Sequence, residues 1–522
     1  MSSPLPAPAE CPYDVIIVGS GFSGINMGIS LKQAGIANFL ILEQASEVGG
    51  TWRDNTYPGC ACDVPSQLYS YSFEPNPDWS SVFSGSAEIQ AYIQRCAEKY
   101  GLRPHLRFGQ NVVSARFDEE AGLWTLRTAA QLTYSARVLV SAAGGLVTPS
   151  WPELTGREDY AGPVMHTARW DHEVDLAGKR VAVVGTGASA IQVVPAIQPQ
   201  VAQLKLFQRT APWILPKFDR RLRARTKALF RRVPLAQRAV RNAILALSEL
   251  VFAPMVILDS PLQKGLELLA RNNLWQVRDP ALRRRLTPSF SIGCKRVLIS
   301  SDYYPALQKT NVELISDGIT GFTARGLRTA DGREVEVDAV VMATGFRVGI
   351  AEPPFEMLGL GGRSLTQLWS AAGAKAYKGV AISGMPNFFM MLGPNTGPGH
   401  TSVLIYTEAQ AAYIAQAVQA LLRDDLRYLN VRRDVMTDYH RKVQGRMRYT
   451  TWTSGCNSWY LDAHGENHTL FPGLATEYAL SLRRFKSEEY ESAAWADVSQ
   501  AARVPVDSAA FDPLAIAGET TP

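Results

Sequence analysis

The sequence predicts an α/β chain of two doubly wound, three-layer units with a helical subdomain inserted in the second, and three observations carry that expectation. Two glycine-rich loops stand in the same register: Gly19-Ser20-Gly21-Phe22-Ser23-Gly24 follows one apolar run, and Gly185-Thr186-Gly187-Ala188-Ser189-Ala190 follows another. Each unit closes with an apolar run that meets glycines, 137–145 in the first and 337–345 in the second. Between the halves of the second unit lies a block of different character, basic and then apolar, with helical spacing.

Each glycine loop falls between a predicted strand and a predicted helix. There, small residues let backbone approach a pyrophosphate and the helix N-terminus meets its charge. The residues so placed are Gly19, Gly21 and Gly24 in the first loop, and Gly185, Gly187 and Ser189 in the second. A charged residue lies 24 positions after each opening glycine, Glu43 in the first unit and Arg209 in the second. A carboxylate at the end of the second strand accepts hydrogen bonds from ribose hydroxyls, whereas an arginine there suits a 2′-phosphate. The pair reads as one Rossmann-like domain for FAD and one for NADPH.

At 522 residues the chain is too long for one hydrophobic core. A charged content of only 19% argues against disorder, and a net charge of +5 is too mild to imply a nucleic-acid partner. Residues 1–12 lack the charged and apolar regions of a signal peptide. Cysteines at 11, 60, 62, 96, 294 and 456 show no zinc spacing, so no metal is expected and a reducing cytoplasm is the default. Cys60 and Cys62 are separated by a single residue, which makes bridging difficult, and they read as packing thiols.

No third glycine loop follows Gly345, so the remaining chain is expected to return to the first unit. The resulting division gives an FAD domain at 1–148 and 346–485, and an NADPH domain at 149–216 and 290–345. A helical insert occupies 217–289, and a surface arm or tail 486–522. Residues 217–241 carry ten Lys or Arg against one acid, Asp219. The run 243–258 is apolar except for Ser248 and Glu249, and with Glu249 and Pro254 inside it reads as too short and too broken to span a membrane. A solvated face beside a buried helix is the plain reading of 217–260. Peripheral contact with a membrane, or the lining of an apolar substrate entrance, are the alternatives.

The linker Tyr160-Ala-Gly162-Pro-Val-Met-His166-Thr-Ala-Arg-Trp170-Asp171 resembles the fingerprint of the type I Baeyer–Villiger monooxygenases. Gly162, His166, Trp170 and Asp171 match it, and Tyr160 stands where phenylalanine is usual. The stretch from Gly49-Gly50-Thr51-Trp52 to Asp63 is similar to the family's flavin-wrapping segment. Gly293-Cys294-Lys295-Arg296 looks like the segment that delivers its active-site arginine, and Asn457-Ser458-Trp459-Tyr460 resembles its mobile pocket segment.

That resemblance implies a catalytic arginine at Arg296 with Asp63 as its carboxylate partner. It puts Arg209, Thr210 and Lys295 at the NADPH 2′-phosphate, and Trp459 where cofactor and substrate are enclosed. It implies an enzyme in which NADPH reduces FAD, dioxygen adds to give a flavin peroxide, and a small hydrophobic ketone becomes an ester or lactone. A flavin monooxygenase making N- or S-oxides shares the fold but needs no oxyanion-stabilising arginine. His166 is expected at a hinge or cofactor contact.

Overall fold

The computed structural model describes residues 12–347, 353–455, 458, 460–462 and 465–494. The strand Tyr13–Val18 lies between Phe39–Leu42 and Thr133–Ser141, parallel to both. Its last four residues, Val15 to Val18, are buried and read as an unbroken apolar run rather than an alternating one. The antiparallel strands Val112–Asp118 and Leu123–Thr128 extend this sheet beyond Thr133–Ser141. The chain re-enters it twice from beyond residue 353. Glu356–Leu358 pairs with Val112–Asp118, and Phe388–Met390 with Thr133–Ser141. The helix Phe22–Gln33 leaves the first glycine loop and shares one core with the 21-residue helix Val403–Arg423.

The second sheet is wholly parallel, in the order Val312–Ile315, Gln203–Phe207, Arg180–Val184, Ala339–Met342 and Val164–His166. Its glycine loop repeats the geometry of the first. Gly19 and Gly185 have φ of +103° and +113°, and a Cβ on either would stand 2.5 Å from the carbonyl oxygen of Ala142 or Ala343 respectively. Their amides donate to the ends of the neighbouring strands, Gly19 to Leu42 at 2.8 Å and Gly185 to Phe207 at 3.0 Å. Only glycine meets both the positive φ and the close approach. Gly24 is tighter still, with its Cβ position 1.9 Å from the Gly19 carbonyl oxygen. Gly24→Ala must therefore move loop or helix, and is expected to purify largely free of flavin, as measured by visible absorbance.

The insert hangs from two short parallel strands, Ile214–Leu215 and Leu298–Ile299. The apolar run expected to be broken is instead part of one continuous 24-residue helical stretch, Pro234–Ile257, long and apolar enough by length and composition to cross a membrane. A π turn at Ser248–Phe252 is the reason. It leads straight into Ala253–Ile257, and the wider turn accommodates Pro254 without ending the helix. Glu249 turns inward, accepting hydrogen bonds from the amides of Ala475 (2.7 Å) and Thr476 (3.3 Å). His400 Nε2 faces Glu249 Oε1 at 3.2 Å.

The surface arm begins later than expected. Tyr490–Ala494 is a strand paired antiparallel with Leu426–Val431, anchored by the buried Tyr490, and residues 495–522 lie outside the described part. Cys60, Cys62 and Cys96 are free, whereas Cys294 is disulfide-bonded.

Candidate active site

Asp63 and Arg296, 233 positions apart, meet in an ion pair with Nη2 and Oδ2 separated by 2.5 Å. The Arg296 side chain is 50% accessible and that of Asp63 31%, so both partners can be reached from outside the protein. Asp63 holds the Arg296 guanidinium above its ordinary range. Burial pushes the Asp63 carboxyl up, but the charge and hydrogen bond of Arg296 outweigh it and leave the group below its ordinary 3.8. Both partners are therefore ionised at neutral pH.

Two loops bring them together. Arg296 follows Gly293, whose φ of +91° lets it pass 3.0 Å (from its Cβ position) beneath the carbonyl oxygen of Val256, at the end of the long insert helix. Asp63 closes a loop that is fastened to the second unit. The Tyr57 hydroxyl donates to Gln192 Oε1 at 2.8 Å, and Gln192 Nε2 donates to the Ala61 carbonyl at 2.9 Å. Gln192 sits on the helix Ala190–Ile197, directly after the second glycine loop. Gly59 permits the contact, because a Cβ there would lie 2.7 Å from the Gln192 carbonyl oxygen. Tyr57 falls within the stretch that resembles the flavin-wrapping segment, whereas Gln192 is marked by no motif in the sequence.

Trp52 and Tyr69 stand near the pair. Trp52 Nε1 donates to the Tyr69 hydroxyl at 3.1 Å, and the rings meet edge to face. Asp63 and Arg296 both act on the Tyr69 phenol, which burial raises well above its ordinary range. Tyr460 is buried within electrostatic reach of Arg296, with its phenol pushed up to about 12 by burial. Sequence reasoning passed over its ring, although it stands beside Trp459, which lies outside the described residues.

The two cradles fit dinucleotides. A Cβ on Gly187 would meet nothing within 4 Å, and one on Gly21 only Gly50, at 3.7 Å, so backbone is presented to open space at both loops. Glu43 is buried beneath the first. Its Oε2 accepts from the Ser20 amide (2.9 Å) and hydroxyl (2.7 Å), and its Oε1 pairs with Arg53 at 3.0 Å. Thr51 opens the short helix Thr51–Asp54, with Gly50 as its cap.

Beside the second loop, Arg209 and Lys295 converge. Burial lowers the Lys295 ammonium, and the neighbouring Arg209 charge lowers it further. Among the described residues neither has a carboxylate within 4 Å, so the two cations share a place suited to an anion. The Thr210 carbonyl accepts from the Thr186 hydroxyl at 2.9 Å, tying the loops together.

The linker fingerprint serves the second sheet rather than the ion pair. Val164–His166 forms its edge strand, and Trp170 packs against its core. The Tyr160 hydroxyl donates to the Val337 carbonyl at 2.9 Å, and a Cβ on Gly162 would lie 2.4 Å from that hydroxyl. Asp171 is exposed and accepts from the Glu173 amide at 2.9 Å. His166 is fully buried beside Trp151 and Phe346, and its Nδ1 accepts from the Ala168 amide at 3.0 Å.

Burial holds the imidazole of His166 down to about 4. The unfolded chain then binds the extra proton between about pH 4 and 6.5, so stability rises with pH through that window and is level above it. His166→Asn is expected to flatten that slope by up to about 3 kcal/mol, read from urea midpoints across the window.

A family model described as pyridine nucleotide-disulphide oxidoreductase matches residues 16–243. The chain is 44% identical to a Baeyer–Villiger monooxygenase of Streptomyces coelicolor, over 91% of this chain and 92% of that one. It is also 44% identical to a Baeyer–Villiger monooxygenase of Pseudomonas aeruginosa, over 93% and 92%. Among solved structures, an oxidized steroid monooxygenase bound to NADP superposes with a TM-score of 0.83 at 31% identity, covering 92% of this chain and all (100%) of that one. Cyclohexanone monooxygenase from Rhodococcus sp. Phi1 bound to NADP+ superposes with a TM-score of 0.82 at 27% identity, covering 93% and 100%.

Paired cradles and these relatives define a flavoprotein oxidoreductase that uses FAD and NADPH. The chain belongs to the type I Baeyer–Villiger monooxygenases, class B flavin-dependent enzymes that use NADPH and dioxygen to insert one oxygen atom next to a carbonyl.

Proposed function

We propose that Arg296 is the catalytic guanidinium of this reaction and Asp63 the residue that positions it, on a hydrophobic ketone. The observation that supports this most is the ionised, accessible Asp63–Arg296 pair, whose carboxylate stands on a loop fastened to the second unit. FAD, once bound and reduced by NADPH, supplies the activated oxygen. Arg296 offers permanently charged donors where negative charge gathers on oxygen during insertion, a task for which a guanidinium needs no proton exchange. Asp63 fixes its orientation and tempers its charge, and the rings of Trp52, Tyr69 and Tyr460 exclude water around the pair.

In this reading Gly19, Gly21, Gly24, Glu43, Gly50, Thr51 and Trp52 hold FAD. Gly185, Gly187, Ser189, Arg209, Thr210 and Lys295 hold NADPH, with the linker Tyr160–Asp171 and Trp459 closing the site. Residues 1–148 and 346–494 form the FAD domain, 149–216 and 290–345 the NADPH domain, and 217–289 the helical insert. The names of the steroid and cyclohexanone monooxygenases favour a carbocyclic or otherwise apolar ketone. Dependence on NADPH, which is regenerated inside the cell, supports a cytoplasmic location. The test is mass-spectrometric product analysis over a panel of cyclic, aryl and long-chain ketones with NADPH. An ester or lactone carrying one added oxygen is expected, and NADPH oxidation without any such product across the panel would overturn the assignment.

A further inference from the structure

We infer that the insert helix Pro234–Ile257 is a docking surface for a lipid bilayer bearing anionic headgroups, lying in the interface rather than crossing it. The helix is inside out. Over Pro234–Phe252 its buried positions are polar, Gln237, Ser248 and Glu249, while its exposed positions include Leu235 at 71%, Leu247 at 52% and Leu250 at 74%; only its last turn, with Ala253, Val256 and Ile257, buries apolar side chains. Only a third (33%) of its most apolar stretch is buried. Leu235, Ala239, Ala243, Leu247 and Leu250 follow the helical repeat and form one outward stripe. A helix that spends polar side chains on the protein and turns leucines outward presents its apolar face to a medium other than water.

The polar side chains also exclude a span. Gln237 Nε2 donates to Gln67 Oε1 and to the Asn76 carbonyl, each at 2.7 Å, and Arg241 Nη1 donates to the carbonyls of Gln67, Leu68 and Ser70. Glu249 is fixed by Ala475 and Thr476. These bonds fasten the whole length of the helix to the fold, so it can rest on a bilayer without entering it end-on.

Charge selects the occupant. Arg225, Arg232 and Arg238 are exposed, and among the described residues none has a carboxylate within 4 Å. Lys217, Arg231 and Arg241 of the same segment are matched by Asp219, Asp78 and Glu408, but Arg225, Arg232 and Arg238 are not, so a second copy of the chain laid on this face would set unmatched cations against one another. Anionic headgroups complement the rim while acyl chains accept the leucine stripe. Val256, one residue before the end of the same helix, lies against Gly293, three positions before Arg296, so the bilayer-facing element adjoins the candidate catalytic segment.

Co-sedimentation of the FAD-loaded enzyme with phosphatidylcholine vesicles, with and without phosphatidylglycerol, tests this. The enzyme is expected to sediment with the anionic vesicles at least tenfold more than with the neutral ones, and less as salt rises. Leu247→Glu with Leu250→Glu, and separately Arg225→Glu with Arg232→Glu, are each expected to lower that binding at least tenfold while NADPH oxidation with a water-soluble ketone stays unchanged. No binding by the wild type would overturn the inference. So would vesicle binding unaffected by either pair, or a concentration-dependent dimer that the leucine pair dissolves with vesicle binding unchanged.

Discussion

Arg296→Ala is expected to lose ester formation by about 100- to 1000-fold, or ~3–4 kcal/mol of transition-state stabilisation, while NADPH still bleaches the flavin. The two readouts separate because hydride delivery depends on how the second cradle presents its nucleotide, whereas oxygen insertion places negative charge beside the guanidinium. Anaerobic stopped-flow absorbance measures the first, and product quantification the second. Arg296→Lys restores charge without the planar set of donors and is expected to recover only part of the loss. Ester formation at the wild-type rate by Arg296→Ala would remove the residue from the reaction. The ion pair is not expected to shape the pH–rate profile between about pH 5 and 9, because Asp63 lies below its ordinary value and Arg296 above its own. A limb in that range must come from another group.

The second large effect falls on nucleotide choice. Arg209→Ala is expected to raise KM for NADPH about 10- to 100-fold, the worth of a charge-assisted hydrogen bond of ~1.5–3 kcal/mol, and to leave KM for NADH nearly unchanged. Lys295→Ala should act in the same direction, and the double variant by less than the product of the two, because the cations repel each other without their shared anion. Steady-state kinetics with both nucleotides decides it. An equal rise for NADH would mean that neither cation reads the 2′-phosphate.

The cradles were legible in the sequence because their demands are local. A glycine that must carry positive φ beneath a strand end, and a charge one strand later, fall at fixed spacings, and Gly19 and Gly185 meet the same constraint to within 10° of φ (+103° and +113°). The Asp63–Arg296 contact spans 233 positions and has no periodicity, so only resemblance pointed to it. The fastening of Tyr57 to Gln192 was not legible, since the stretch that marked Tyr57 says nothing of its partner and Gln192 is an ordinary residue until the fold joins them. The insert misled for a physical reason. Apolar residues are expected inside, and Glu249 and Pro254 are expected to interrupt, but here the polar groups point inward and a π turn carries the helix past its proline. The arm from 486 looked loose because its polar composition hides the one ring, Tyr490, that seats it.

The grip of Gln192 on Tyr57 and Ala61 has a mechanical consequence. Asp63 belongs to the first unit by chain order, yet the loop that carries it is moored through Tyr57 and Ala61 to a helix of the second, just downstream of the nucleotide loop. Any swivel of one half against the other tugs on that mooring before it disturbs either sheet. The loop thus works as a tie-rod across the seam, coupling the attitude of the second half to the carboxylate that holds the guanidinium.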